Sequence, residues 1–386
     1  MDFAYMDNAS GTRLLEEVFE EMVPFFKNEF GNPSSIHSAG SKPKSAVEKA
    51  REQVAKLIGA QPKEIYFTSC GTESNNFAIK GAAFAYAKKG KHIVISAIDH
   101  QSVINAAKSL TRLGWEVTAV EVDSNGFVAP NDVAAALRDD TAVVSITSAS
   151  NEIGTIQNIK EIAAVVKERG IPFHTDAIQT AGVIPVNVDE LGVDMLSLSA
   201  NAFYGPKGAA ALYIREGVRV FALIDGGIQE RGRRGGTENV PAIVGLGKAA
   251  EIAFLNMDSR ISATTALRDK LMTGLESAIP KIQINGDRTN RLPGNVHVSI
   301  EAVEGESMLF SLAGRGIMAA SGSSCADKAL KSSHVLAAVG CDPALANASI
   351  LFSLGFENTE SEVDKVIEVL PPIIERFRAM SPIWNG

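Results

Sequence analysis

Between about residues 45 and 215 the chain alternates short apolar, β-rich runs with segments of helical period. The stretch KSAVEKAREQVAKLIG sets Val47, Ala50, Val54, Leu57 and Ile58 on one helical face. It leads into EIYFTS, a short β-rich run, and then into the helical CGTESNNFAIKGAAFAYAKK. The rhythm repeats through HIVISA, VINAAKSLTRLG, WEVTAVEV, DVAAALRDD, AVVSITSA, IKEIAAVVKERG, PFHTDA and DMLSLSA. Strands separated by helices pair in parallel, so the pattern predicts an α/β layer fold. A chain of 386 residues has room for about two domains. After residue 255 the rhythm changes. A long helical stretch, RISATTALRDKLMTGLESAI, precedes NVHVSI, GESMLFSLAG, the loop MAASGSSCADKALKSSH and two closing helix-period segments. The expected division is a large α/β domain over 14–255 and a smaller α+β domain from 1–13 and 256–386.

Charge and cysteine content narrow the function classes. The formal net charge is −8 and no Lys/Arg run stands out, which argues against nucleic acid or a membrane surface as partner. The three cysteines, Cys70, Cys325 and Cys341, form no CxxC or Cys/His spacing. They point to thiols in a reducing compartment rather than to a disulfide frame or structural zinc. The opening MDFAYMDNASGT lacks the basic and apolar regions of a signal peptide, and no apolar run approaches the ~20 residues of a membrane span. The expectation is a cytoplasmic protein.

Polar residues gather where the expected strands end. Gly71 and Thr72, in SCGTESNN, open a helix after a strand; they are either a phosphate cradle or a plain helix start. Asp176 closes the strand in PFHTDAIQT. It either pairs with a protonated ring nitrogen or caps the next turn, and Gln179 follows three residues on. Asn151 follows AVVSITSA, and Asp99 and His100 follow HIVISA. A lone histidine there is an ordinary surface residue as readily as a catalytic one; four polar strand ends together weigh toward a site. Cys325 sits in ASGSSCADKA among Gly and Ser, where a reactive or metal-binding thiolate is plausible beside the usual inert cysteine. Cys70 precedes a helix start, and Cys341, in AVGCDPALA, reads as structural.

The ordered blocks YMDNAS, FGNPSSIHSAG, FTSCGTESNNFAIKG, SASNEIGTIQ, HTDAIQTAG, YGPKGAAALYI, GGIQERGRRGGTENVPAIVG, LPGNVHVSI and SGSSC resemble those of the NifS/IscS-type cysteine desulfurases across essentially the whole chain. The resemblance implies a pyridoxal phosphate (PLP) fold of type I, with a mostly parallel seven-stranded sheet, and a homodimer. It implies transferase chemistry: sulfur taken from L-cysteine to leave alanine, held as a persulfide and passed to an iron–sulfur scaffold of IscU type. Position by position, Gly71, Thr72 and Ser199 match phosphate contacts, and His100 matches the imidazole stacked on the cofactor ring. Asn151, Asp176 and Gln179 match ring contacts, with Asp176 at the pyridine nitrogen. Thr237, in RGGTENV, matches a phosphate contact given by the partner subunit. Cys325 matches the persulfide thiol, and Asn32 falls in a motif near the substrate.

Three positions depart from the resembled pattern. Where it reads S-x-H-K, this chain has Ser199, Ala200, Asn201 and Ala202. Ala202 stands in place of the Schiff-base lysine, which also moves the substrate's α-proton. Asn201, at the histidine position, hydrogen-bonds but cannot titrate. Leu351, in SILFSLG, replaces an arginine that pairs with the substrate carboxylate. Lys207, in YGPKG, also occurs in the pattern and is read as a structural corner. Three functions follow as expectations. The first is sulfur delivery or iron–sulfur cluster assembly with a scaffold through Cys325, with intrinsic turnover lost or impaired and Cys325 a possible ligand of a shared 2Fe–2S cluster. The second is an active desulfurase with noncovalent PLP, and the third a repurposed PLP-fold binding protein.

Overall fold

The computed structural model describes residues 3–321, 333–382 and 384. The chain enters through β1 (Ala4–Tyr5), α1 (Glu16–Lys27) and α2 (Ser38–Ile58). The face expected of α2 is the buried one: Val47, Ala50, Val54, Leu57 and Ile58 are all in the core. The helix stops at Gly59, whose φ of 68° is left-handed and costs a glycine little.

Seven strands form the main sheet: β2 (Ile65–Thr68), β3 (His92–Ser96), β4 (Glu116–Val120), β5 (Thr141–Ser145), β6 (Phe173–Asp176), β7 (Met195–Ser199) and β8 (Ala210–Ile214). Their order is β2-β8-β7-β6-β5-β3-β4. β4, β3, β5, β6 and β7 pair in parallel, and β8 runs antiparallel to both its neighbours. The crossovers are α3 (Gly71–Tyr86), α4 (Gln101–Thr111), α5 (Pro130–Ala136), α6 (Ile159–Glu168) and α7 (Val188–Leu191). Both sheet faces are covered. Val94, Val144 and Leu196 pack with α2 and α6, whereas Ile93, Ile95, Val143 and Met195 pack with α3 and α4. Strands buried on both sides lose the apolar–polar alternation of a half-exposed sheet.

A single helix, α8 (Val240–Ala278), links this core to a second one. Its first half joins the sheet cluster, and Leu267, Leu271, Met272 and Leu275 join a cluster with Ala4 and Met6. That second cluster also holds β9 (Ile282–Ile284), β10 (Asn295–Ile300) and β12 (Ser349–Ser353), while β11 (Ile317–Met318) pairs with β1. Helical period in the sequence suggests α8 only from about residue 260; it begins twenty residues earlier, capped by Asn239 with proline in its first turn. Gly245 and Gly247 obscure it. A Cβ at Gly245 would meet Met22 and Pro206, and one at Gly247 would meet the Ala50 backbone. Close packing on α1 and α2 outweighs the low helix propensity of glycine. Contrary to the reading above, α8 is by length and composition long and apolar enough to cross a membrane, and 56% of its most apolar stretch is buried inside the protein.

The C-terminal segment also differs from its reading as two helices. Two short helices, His334–Ala338 and Pro343–Asn347, and strand β12 precede the closing helix Glu360–Met380. β12 is buried at every position and pairs with β10 on one edge and with Ala320 and Asp7 on the other.

Candidate active site

The polar residues read from the sequence lie at the C-terminal ends of the parallel strands, where open α/β sheets bind ligands. Asp176 ends β6 and is buried. Its Oδ1 accepts from the Ile178 N–H (3.0 Å), and its Oδ2 accepts from Asn75 Nδ2 (2.7 Å). Asn75, one turn into α3, also donates to Ser102 Oγ at 2.8 Å. Ser102 Oγ is 2.7 Å from His100 Nδ1, which accepts the Ser102 N–H as the cap of α4. That N–H can only donate, so Nδ1 is an acceptor and the neutral ring carries its proton on Nε2. One chain of hydrogen bonds therefore fixes Asp176, Asn75, Ser102 and His100 across three elements.

Burial raises the Asp176 carboxyl above the usual carboxylate range, and the hydrogen bonds it accepts from Ile178 and Asn75 oppose that rise. Asp99 is pushed well up, first by complete burial and then by Asp176. It accepts from the Ser96 and Thr147 N–H groups and so braces the ends of β3 and β5 from inside. Of the Asp99–His100 pair, only His100 is exposed.

Gly71 is the first residue of α3, whose N-cap, Cys70, supplies no side-chain hydrogen bond. The N–H groups of this first turn have no intrahelical partner. A Cβ on Gly71 would collide with Ile178 Cδ1 and lie 3.7 Å from Ser199 Cβ. Ser199 ends β7 and donates to Asn201 Oδ1 at 2.6 Å. Ala202 closes the 3₁₀ turn Ala200–Ala202 that follows.

Ala202, Asn151 and Gln179 line one open cleft with about 700 Å³ of empty space, and Gln179 Nε2 donates to Ala9 O across it at 3.2 Å. Thr72 and His100 line a neighbouring depression with Ser102. Asn32 and Thr237 are exposed and line neither; Asn32 Oδ1 accepts from Ser34 N–H in a local turn. Leu351 is buried in β12 opposite His297. Lys207 lies exposed, its Cε, like Asn201 Nδ2, within van der Waals reach of a Cβ built at Gly11. Cys70 is a free, exposed thiol; Cys341 is free and half-buried, and burial raises its pKa. Cys325 lies outside the described residues. Among the described residues no group of three His, Cys, Asp or Glu side chains is placed to hold a metal.

Sequence reasoning missed Asn75 and Ser102. Asn75 lies four residues after Gly71, on the same helical face, so its place at the site was within reach of a period argument. Ser102 carried no signal of its own.

The comparisons agree with this architecture. The family model for class-V aminotransferases matches residues 4–366. A cysteine desulfurase IscS of Dictyoglomus turgidum is 51% identical over 378 residues, covering 98% of this chain and 96% of its own. The solved structure of a NifS-like protein is 39% identical with a TM-score of 0.91, covering 97% of this chain and all of its own. A structure of SspA in complex with cysteine is 34% identical with a TM-score of 0.82, covering 92% of this chain and all of its own. The chain belongs to the class-V aminotransferases and, within them, to the IscS/NifS-type cysteine desulfurase family. The fold is therefore PLP fold type I, and PLP is the cofactor expected.

The residues present fit PLP on its ring and phosphate sides. Asp176 receives hydrogen bonds from neutral groups and is suited to a protonated ring nitrogen. Beside it, Asn75 Oδ1 is buried with no partner among the described residues. Gly71, Thr72 and Ser199 would hold the phosphate at the uncapped start of α3. When bound, PLP supplies an electron sink for carbanion chemistry. With PLP bound, Asp176 would hold that ring's charge, Ser102 would orient His100, and position 202 would offer only a methyl group.

Proposed function

We propose that this protein binds PLP noncovalently and acts on L-cysteine as a slowed cysteine desulfurase. It works in the cytoplasm as a homodimer and passes sulfur through Cys325 into iron–sulfur cluster assembly. The names of the relatives favour a working desulfurase over one that has lost its activity. The cysteine bound to SspA supports L-cysteine as the ligand class. The observation that carries the reading is the contrast at the end of β7: a hydrogen-bonded cofactor wall beside Ala202, a position with no amine. General acid–base catalysis contributes ~10²–10⁴-fold, so turnover without the lysine should be slower by about that factor. The test is release of alanine and sulfide from L-cysteine with and without added PLP. The expected result is slow turnover that depends on PLP. A rate equal to that of a lysine-bearing relative, or no turnover with PLP bound, contradicts it.

A second reading rests on the retention of SGSSC where three residues that handle the amino acid have changed. Here Cys325 receives sulfur from another source, or ligates a 2Fe–2S cluster shared with an IscU-type scaffold. If Cys325→Ser leaves scaffold-dependent cluster formation unchanged, this reading fails.

A further inference from the structure

Arg260, on α8, lines the cleft together with Ala202, Asn151 and Tyr204. Its guanidinium carbon lies 4.0 Å from the ring centroid of Phe356 and 5.6 Å from that of Tyr204. The two rings pack on each other at 4.4 Å. Arg260 thus rests on an aromatic shelf, a favourable seat for a guanidinium. Burial lowers its pKa, although the charges of Glu17 and Glu357 act against the fall. Neither carboxylate forms an ion pair with it among the described residues; Glu357 lies 3.9 Å from Arg13 instead.

A second donor lies in the same cleft. Tyr204 is 6% exposed; the backbone N–H groups of Phe356 and Glu357 face its hydroxyl oxygen, but among the described residues its O–H has no acceptor. A buried phenol O–H without an acceptor and a half-buried guanidinium with no direct ion pair among the described residues both cost free energy. One small carboxylate satisfies both, since its two oxygens match the guanidinium fork and accept from the hydroxyl. β12 provides no cation here: Ser353 lines the cleft, and Leu351, two residues earlier, is apolar.

We propose that Arg260, seconded by Tyr204, binds the carboxylate of the amino-acid ligand, the task the family pattern gives to an arginine at position 351. The proposal rests on the reading that an amino acid is the ligand of this cleft. Calorimetric titration of the full chain compares L-cysteine with cysteamine, the same thiol and amine without the carboxylate, in the presence of PLP. L-cysteine should bind at least about tenfold more tightly, as a charged hydrogen bond gives. Arg260→Gln should abolish that preference, and Arg260→Lys should keep part of it. Tyr204→Phe, which preserves the shelf, should weaken L-cysteine a few-fold and leave cysteamine unchanged. PLP affinity, read separately by absorbance, should be equal in wild type and Arg260→Gln. If wild type fails to bind PLP, the functional reading falls, while propionate titrated into the PLP-free chain still tests the arginine: binding lost in Arg260→Gln supports it. Equal affinity of wild type and Arg260→Gln for L-cysteine, or no preference over cysteamine, overturns the proposal.

Discussion

The wall built on Asp176 and the floor around Ala202 are close in space and differ in construction. In the wall, each polar group is held by another: Asn75 ties Asp176 to Ser102, and Ser102 ties the set to His100. On the floor, an alanine stands at the lysine position and Arg260 rests on aromatic rings with no ion pair among the described residues, while the leucine at the arginine position is buried behind it in β12. On the proposed function, such a site keeps the means of holding a cofactor and lacks the amine that would move protons. The two tasks lie on different elements and depend on different side chains.

The largest expected effect comes from rebuilding the floor. Ala202→Lys should raise alanine release from L-cysteine by about 10²–10⁴-fold, the range of general acid–base catalysis. A steady-state assay with saturating PLP checks it, and an unchanged rate would place the defect elsewhere in the cleft. A smaller effect concerns Glu152, next to Asn151. Burial raises its pKa to about 7, against the hydrogen bond that Ser333 donates to it. Below the ordinary value of 4.5 the carboxyl is protonated in both the folded and unfolded chain. Between 4.5 and about 7 the folded chain keeps a proton that the unfolded chain has released, so stability falls as pH rises through that window and then levels. Relative to Glu152→Gln, wild type should lose up to about 3 kcal/mol across it, measured by urea denaturation at several pH values. A pH-independent difference would mean the carboxylate is solvated or paired.

The wall gives the third prediction. Asp176→Asn keeps the shape and removes the charge, and PLP should bind about ten- to a hundredfold more weakly by equilibrium dialysis. Unchanged binding would show that the wall does not read the ring nitrogen.

Much of this was legible from residue pattern. Alternating runs located six of the seven strands of the main sheet, β2 to β7, because crossovers of regular length leave a rhythm in the sequence; β8 returns antiparallel to β7 with no crossover helix. Asp176 was legible because strand ends carry polar residues, Gly71 because a helix start follows a strand there, and Ser199 through the family resemblance. The first half of α8 was not, because its glycines are explained by contact with α1 and α2, far off in sequence. β12 was hidden for a related reason: burial on both faces erased its alternation. Arg260 gave no sign either. Its significance depends on Phe356, nearly a hundred residues away, and on a Tyr204 O–H with no acceptor among the described residues.

The central claim is that PLP occupies this wall without a covalent bond to the chain. The direct measurement is borohydride reduction of the PLP-loaded protein, followed by denaturation and intact-mass spectrometry. The account predicts protein-bound PLP absorbance before reduction and an unmodified chain mass after denaturation. A stoichiometric PLP adduct on any lysine, Lys207 included, would contradict it.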